Sequence, residues 1–172
     1  MKYKLSVAGI LVLAVLVAGC GYQFRGKQNN LPSDVKSIAI PVFKNNTNEI
    51  RIEQIFTDAV IFQFTRSQMV RVVSEGQADA VLYGKVYRVE IVDVALTSGD
   101  TSRQRRITIW VSASLIRKRD GKVLWSNKAL WQNRTYDVAG TPQATEINKN
   151  RAIAELAKDM AQTLHDGVFE NF

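Results

Sequence analysis

Residues 5–18 read LSVAGILVLAVLVA, an apolar run that stops at Gly19 and at the chain's only cysteine, Cys20. Met1-Lys2-Tyr3-Lys4 precedes it as a short basic stretch. The run is shorter than the roughly 20 residues a spanning helix needs. Positive charge, then an apolar core, then small residues is the build of a secretory leader. Such a leader takes the most hydrophobic segment out of the folding problem, so the remaining chain must supply its own core. One cysteine leaves no internal disulfide and no cysteine-rich zinc site. One histidine, His165, leaves no multi-histidine metal centre.

Val17-Ala18-Gly19-Cys20 resembles the bacterial lipobox. That resemblance implies a diacylglycerol on the Cys20 sulfur, cleavage before Cys20 and an acyl chain on the new amino group. A thiolate is the strongest nucleophile a side chain offers for taking up a lipid. Each acyl CH₂ buried in a bilayer contributes about 0.8 kcal/mol, so several chains anchor durably. Gly21, where an aspartate would retain a lipoprotein in the inner membrane, implies the inner leaflet of the outer membrane, on its periplasmic face. A cytoplasmic-side anchor with an incidental cysteine is the competing reading. The expected organisation is a signal peptide over 1–19, a lipid-anchored tether over 20–34 and one domain over 35–172. Loss of Lys2 and Lys4 leaves 21 basic and 16 acidic side chains, a net charge of +5.

The tether is polar and irregular, with Gly26, Asn29-Asn30 and Pro32. Val35 to Phe43, VKSIAIPVF, predicts a first strand with Ile38, Ile40 and Val42 on one face; Pro41 cannot donate to a ladder and belongs at an end or edge. KNNTN at 44–48 is a turn cluster. Ile52, Ile55, Phe56, Ala59, Val60 and Phe64 then recur at helical spacing, with Thr47 or Asn48 as expected N-cap. Met69 to Ser74 predicts a short second strand and Ala80 to Leu96 a long third. Thr97 to Arg106 reads as a polar connection. Ile107, Ile109, Val111, Ala113 and Leu115 alternate with polar residues and Trp110, which predicts a half-buried strand. Asp120-Gly121 is a hairpin signal because both residues tolerate positive φ. Val123 to Asn133 pairs back, with Val123, Trp125, Asn127, Ala129 and Trp131 expected on one side. Thr145 is a cap candidate for a last helix whose stripe runs from Ile153 through Leu156, Met160 and Leu164 to Val168.

Hydrophobic residues at 46% and charged residues at 23% permit a packed core. Strand, helix, four strands and helix, with one apolar face per helix, predict an α+β two-layer sandwich. Its sheet is mixed and mostly antiparallel, with four or five strands and both helices on one face. The strand-helix-strand start requires a parallel pair.

Catalysis finds little support. His165 reads as a helical surface residue, no serine lies in a nucleophile elbow, and no glycine cluster forms a phosphate-cradling loop. Carboxylates are scattered, with no evident pair for acid-base work. The expectation is no enzyme, no metal and no cofactor beyond the acyl groups on Cys20. Cations are more informative. Arg103, Arg105 and Arg106 cluster before one strand, and Arg117, Lys118, Arg119 and Lys122 at the hairpin that ends it. Such tips pair phosphates or sugar carboxylates, or else blunt an edge as solvated turns. Nucleic acid would suit the charge, but an export signal argues against it. Trp110, Trp125 and Trp131 are core residues or, on a helix-free face, interface candidates.

Cys20-Gly21-Tyr22-Gln23-Phe24-Arg25-Gly26 resembles the CGYxxRG start of the lipopolysaccharide-assembly lipoprotein family, LptE. Leu31-Pro32, the strand Ser37 to Phe43, ADAVLYG at 78–84 and NRAIAELA at 150–157 fit the same pattern. The resemblance implies a non-enzymatic outer-membrane lipoprotein. It would plug and assist assembly of a large β-barrel, the lipopolysaccharide translocon, and help deliver lipopolysaccharide to the outer leaflet. Lipopolysaccharide itself would then be a ligand, with Arg117, Lys118, Arg119 and Lys122 as candidate contacts. IAIPVFKNNTNE and VVSEGQADAVLYGKV are also similar to outer-membrane lipoproteins of the curli-secretion and synthase-activator type, which implies a secretion pore or activation of a cell-wall enzyme. A periplasmic hydrolase would need a nucleophile-base pair that the sequence lacks.

Overall fold

The computed structural model describes residues 31–96 and 102–170. Cys20 and the leader lie outside the described residues. The elements are β1 (Ser37–Ala39), β2 (Lys44–Asn45), α1 (Ile52–Ser67), β3 (Arg71–Val72), a 3₁₀ turn (Glu75–Gln77), β4 (Ala80–Leu96), β5 (Ser102–Arg117), β6 (Val123–Asp137) and α2 (Pro142–Glu170).

They form one six-stranded sheet ordered β3-β1-β4-β5-β6, with β2 added to β4. β1 runs parallel to β3 and β4, and β2 parallel to β4; the β4-β5-β6 meander is antiparallel. The mixed sheet and parallel start agree with the sequence pattern. The strand count exceeds the expected four or five because pairing resumes, after a split, at Lys44–Asn45 in the expected turn cluster, which forms β2.

The split is caused by Pro41. Ala39 faces Val81 and Lys44 faces Lys85, so five steps on one strand span four on the other. Proline has no N–H for the ladder, and the extra residue bulges there. A one-residue slip exchanges the faces. Val42, expected beside Ile38 and Ile40, is therefore 58% exposed, while Phe43 is buried. The Phe43 N–H leaves the ladder and donates to Thr57 Oγ1 at 2.9 Å. Thr57 in turn donates to the Glu53 carbonyl at 2.6 Å. A buried threonine on α1 is thus fully satisfied and fixes the bulge to the helix.

Both helices lie on the same face. α1 buries Ile52, Phe56, Val60 and Phe64, four residues apart along one stripe. α2 buries Ile153, Leu156, Ala157, Met160, Ala161, Leu164 and Val168. Beneath them lie Leu82 and Val86 of β4 and Ile107, Ile109, Val111 and Leu115 of β5, all fully buried. Leu31, within the stretch read as tether, also packs into this core.

Helix starts differ from the expected ones. α1 opens at Arg51, in the left-handed region at φ 66°, with no side-chain cap. Neither Thr47 nor Asn48 is the cap; Asn45 instead braces the approach to the helix, its side chain donating to the Glu49 carbonyl and to Glu53 and accepting from the Thr47 N–H. α2 begins at Pro142, where a proline is pre-set for the first helical position. Thr141 Oγ1, not Thr145, accepts from the Ala144 N–H at 3.2 Å.

Candidate functional site

The β5–β6 hairpin presents the four cations singled out by sequence. Residues 118–121 form its tip, closed by Arg117 N–H donating to the Lys122 carbonyl. Gly121 alone takes positive φ, at 69°. Asp120 stays out of that region, and its carboxylate is engaged. It accepts from Arg117 at 3.0 and 2.6 Å and from the Lys122 N–H at 3.1 Å. Those bonds, Arg117 first, hold the Asp120 pKa down at about 2. The same bond raises Arg117. Asp34 closes on Arg117 at 3.4 Å and Arg119 at 3.0 Å. Lys118 donates to the carbonyls of Glu75 and Gly76. The hairpin's charge is therefore partly spent inside the fold, Arg117 most completely at 11% side-chain exposure. Lys122 is exposed and makes no side-chain ion pair among the described residues.

Beside the hairpin, Asp79 joins the strand starts. Its carboxylate accepts from Ser37 Oγ at 2.8 Å and from the N–H groups of Lys36 and Ser37. Those bonds, the Ser37 hydroxyl's first, depress its pKa.

Among the described residues, nothing covers the face away from the helices. Arg88, Trp110 and Trp131 are successive cross-strand partners on it. The Arg88 guanidinium lies over the Trp110 ring at 4.6 Å. Trp131 is 54% exposed. Trp125 is not with them. Val111 faces Leu130 and Ala113 faces Asn127, so β6 carries an extra residue and the faces exchange. Trp125 consequently turns to the helix side, where its ring packs on Gly167 of α2 with no slack for a Cβ. The expected common side for Trp125 and Trp131 is thus overturned by this bulge. No signal in β6 other than the polar Asn127-Lys128 pair marks it.

Of the second basic cluster, Arg105 pairs with Asp93 at 2.9 Å and Arg106 stands exposed on β5. Residues 102–106 extend β5 where a connection was expected.

Further along the open face, the Pro41 bulge roofs a groove of about 390 Å³. Pro41 and Val42 form one wall; Tyr83, Lys85, Ser112 and Ile116 help line the rest. Lys44 and Lys85, direct partners on parallel strands, both line it. Lys44 falls in the expected turn cluster, and the sequence alone does not pair it with Lys85.

His165 is not the surface residue its position suggested. Its side chain is 9% exposed, set against Phe64 at 5.2 Å and Phe169 at 4.7 Å, with Nδ1 3.0 Å from Asp166. The buried stripe of α2 is wide enough to take it in beside Leu164. Among the described residues no cluster of histidine, cysteine and carboxylate side chains could hold a metal. No described helix is long and apolar enough to cross a membrane.

A family model described as lipopolysaccharide-assembly, LptE, matches residues 35–169, more than half of the chain. No curated protein matches the sequence. Solved structures share the fold at low identity. Rare lipoprotein B from Shewanella oneidensis superposes with a TM-score of 0.52 at 13% identity, covering 76% of this chain and 91% of that one. Lipoprotein B from Nitrosomonas europaea gives 0.51 at 15%, covering 84% and 87%. A minor lipoprotein from Acinetobacter baumannii gives 0.50 at 13%, covering 80% and 93%.

Proposed function

The chain belongs to the LptE lipopolysaccharide-assembly family, and from that premise we propose that it plugs the lipopolysaccharide-transport β-barrel of the outer membrane. The family is non-enzymatic. On this reading the protein assists folding of the barrel and helps hand lipopolysaccharide to the outer leaflet. Cys20 carries the diacylglycerol and acyl chain that hold it to the inner leaflet, on the periplasmic side, and the expected tether over 20–34 gives way to the sandwich domain already at Leu31, which packs into the core.

The family match across the sandwich carries this reading, and the surface chemistry supports it. A sheet backed by two long helices is stiff enough to fill a lumen. Its open face offers Trp110 and Trp131, residue types enriched at protein interfaces, to a surrounding wall. Trp125 serves that wall indirectly, by seating β6 on α2. Lys118, Arg119 and Lys122 offer charge to phosphates, while Arg117 shapes the hairpin through Asp120 and Asp34. The competing secretion-pore or synthase-activator role has no comparable family support.

The test is depletion in cells. Loss of the protein should leave the barrel misassembled, by its heat-modifiable migration, and lipopolysaccharide missing from the outer leaflet. Normal barrel folding and normal surface lipopolysaccharide would overturn the proposal.

A further inference from the structure

β6 closes one side of the sheet. It pairs with β5 and has no strand on its other side among the described residues. An edge strand leaves alternate N–H and C=O groups without ladder partners, and proteins blunt such edges with short length, charge, proline or a bulge. The opposite edge follows that rule: β3 is two residues long and begins with Arg71. β6 runs for 15 residues. Its guards stand at Lys128, inside the bulge, and at Arg134. Leu124-Trp125-Ser126-Asn127 carries no charge and no proline. Among the described residues it makes no backbone–backbone hydrogen bond outside its ladder with β5.

That stretch lines a groove of about 650 Å³, whose other wall is Thr163, Asp166, Gly167 and Glu170 of α2. Those four residues share one helix face. Elsewhere the seam between β6 and α2 is fastened by side chains of β6 itself. Arg134 donates to Glu155 at 2.6 Å and to Asp159 at 2.7 Å. Gln132 reaches Thr163 at 3.5 Å. Further along α2 come Asp166 and Glu170, and there β6 offers only Trp125, Ser126 and Asn127. Asp166 accepts from Gln162 at 2.8 Å and lies 3.0 Å from His165 Nδ1, and no lysine or arginine pairs with it among the described residues. On a chain of net charge +7, no lysine or arginine lines this groove. Trp125, pressed on Gly167, gives it a firm apolar floor.

We propose that the groove takes up an extended segment of a partner protein, which adds to β6 along residues 124–127 and sets an arginine or lysine against Asp166 and Glu170. A free strand edge beside a helix face is the geometry in which a peptide extends a sheet: main-chain bonds give affinity and alternate side chains give selectivity. A guanidinium suits this site best, since its fork matches carboxylates and its plane stacks on an indole. The bulge ends the usable edge, because Asn127 turns back to accept from the Ala129 N–H at 3.0 Å. The added strand is therefore short and its binding reversible. This inference rests on the groove's geometry and charge and not on the barrel reading; its failure would leave native association with a barrel untouched.

The experiment uses the full mature chain in nanodiscs of neutral phosphatidylcholine, titrated into the fluorophore-labelled peptide acetyl-TVRVTV-amide and followed by anisotropy against empty discs. Saturable binding is expected, weakened about fivefold or more in Asp166→Asn/Glu170→Gln, as the loss of two partly exposed charge contacts requires. Replacing the probe's arginine with glutamate should weaken it at least as much. Thr163→Lys, which sets a cation on an exposed part of the helix wall, should do the same and serves if the double variant melts below the parent. Of two probes N-methylated at alternate amides, the one whose methyls face β6 should lose binding and the other keep it. Amide exchange within residues 124–127 should slow on binding. Trp131→Ala, on the open face, should bind as the parent does. Equal affinity for the arginine and glutamate probes, unchanged affinity in the groove variants, equal loss from both methylation patterns, unaltered exchange at 124–127, or a matching loss in Trp131→Ala would each overturn the proposal.

Discussion

Phe43 lies flat on the backbone of Gly84, so that a Cβ at position 84 would enter its ring. The contact joins the segment after the Pro41 bulge to β4 and closes the core where the ladder is interrupted. Gly84→Ala should therefore cost about 1–3 kcal/mol, as overpacking does. A denaturant midpoint measures it. Phe43→Leu in the same chain should recover part of that loss, because the two residues share one space. An unchanged midpoint in Gly84→Ala would refute the packing described.

Gln68, after the last turn of α1, sits in the left-handed region at φ 56°. A side chain there costs roughly 1–2 kcal/mol that glycine avoids, and helices commonly end on a left-handed glycine. Gln68→Gly should raise stability by roughly 0.5–1 kcal/mol, after glycine's own entropic cost. A lower thermal midpoint would contradict the assignment.

The acid limb of stability should depend on Asp120. Arg117 holds its folded pKa at about 2, below the ordinary 3.8. A carboxyl depressed on folding adds stability that is present above the unfolded pKa and is lost as pH falls through the folded one. The window is thus roughly pH 4 down to 2, with Asp79, also lowered, acting in the same direction. Asp120→Asn should flatten the melting temperature's decline across that window and leave its shape above pH 5 unchanged. An identical acid limb in the variant would show that the ion pair contributes nothing measurable.

These positions mark where the sequence could be read and where it could not. The stripes of α1 and α2, the limits of β4 and the β5–β6 hairpin were legible because side-chain period reports which face is buried. That inference fails wherever one residue is inserted. The bulge at Pro41 exchanged Val42 for Phe43 in the core, and the one between Asn127 and Leu130 parted Trp125 from Trp131. Proline announced the first; little announced the second. Charge at the hairpin was legible, but its capture by Asp34 was not, because 83 residues separate Asp34 from Arg117. The Lys44–Lys85 juxtaposition likewise appears only once β2 pairs with β4. Burial of His165 needed Phe64 from the other helix.

Cys20→Ser should abolish incorporation of labelled fatty acid and leave the protein out of the outer-membrane fraction. Metabolic labelling followed by fractionation measures both. Label retained in the variant would place the lipid elsewhere and remove the anchor from the account.

The most direct test is isolation of the native protein from envelopes in mild detergent, followed by identification of what accompanies it. The account predicts a stoichiometric outer-membrane β-barrel much larger than this chain, bound through a surface that includes Trp110 and Trp131. Recovery of this protein as a free monomer from membranes whose barrels remain intact would contradict it.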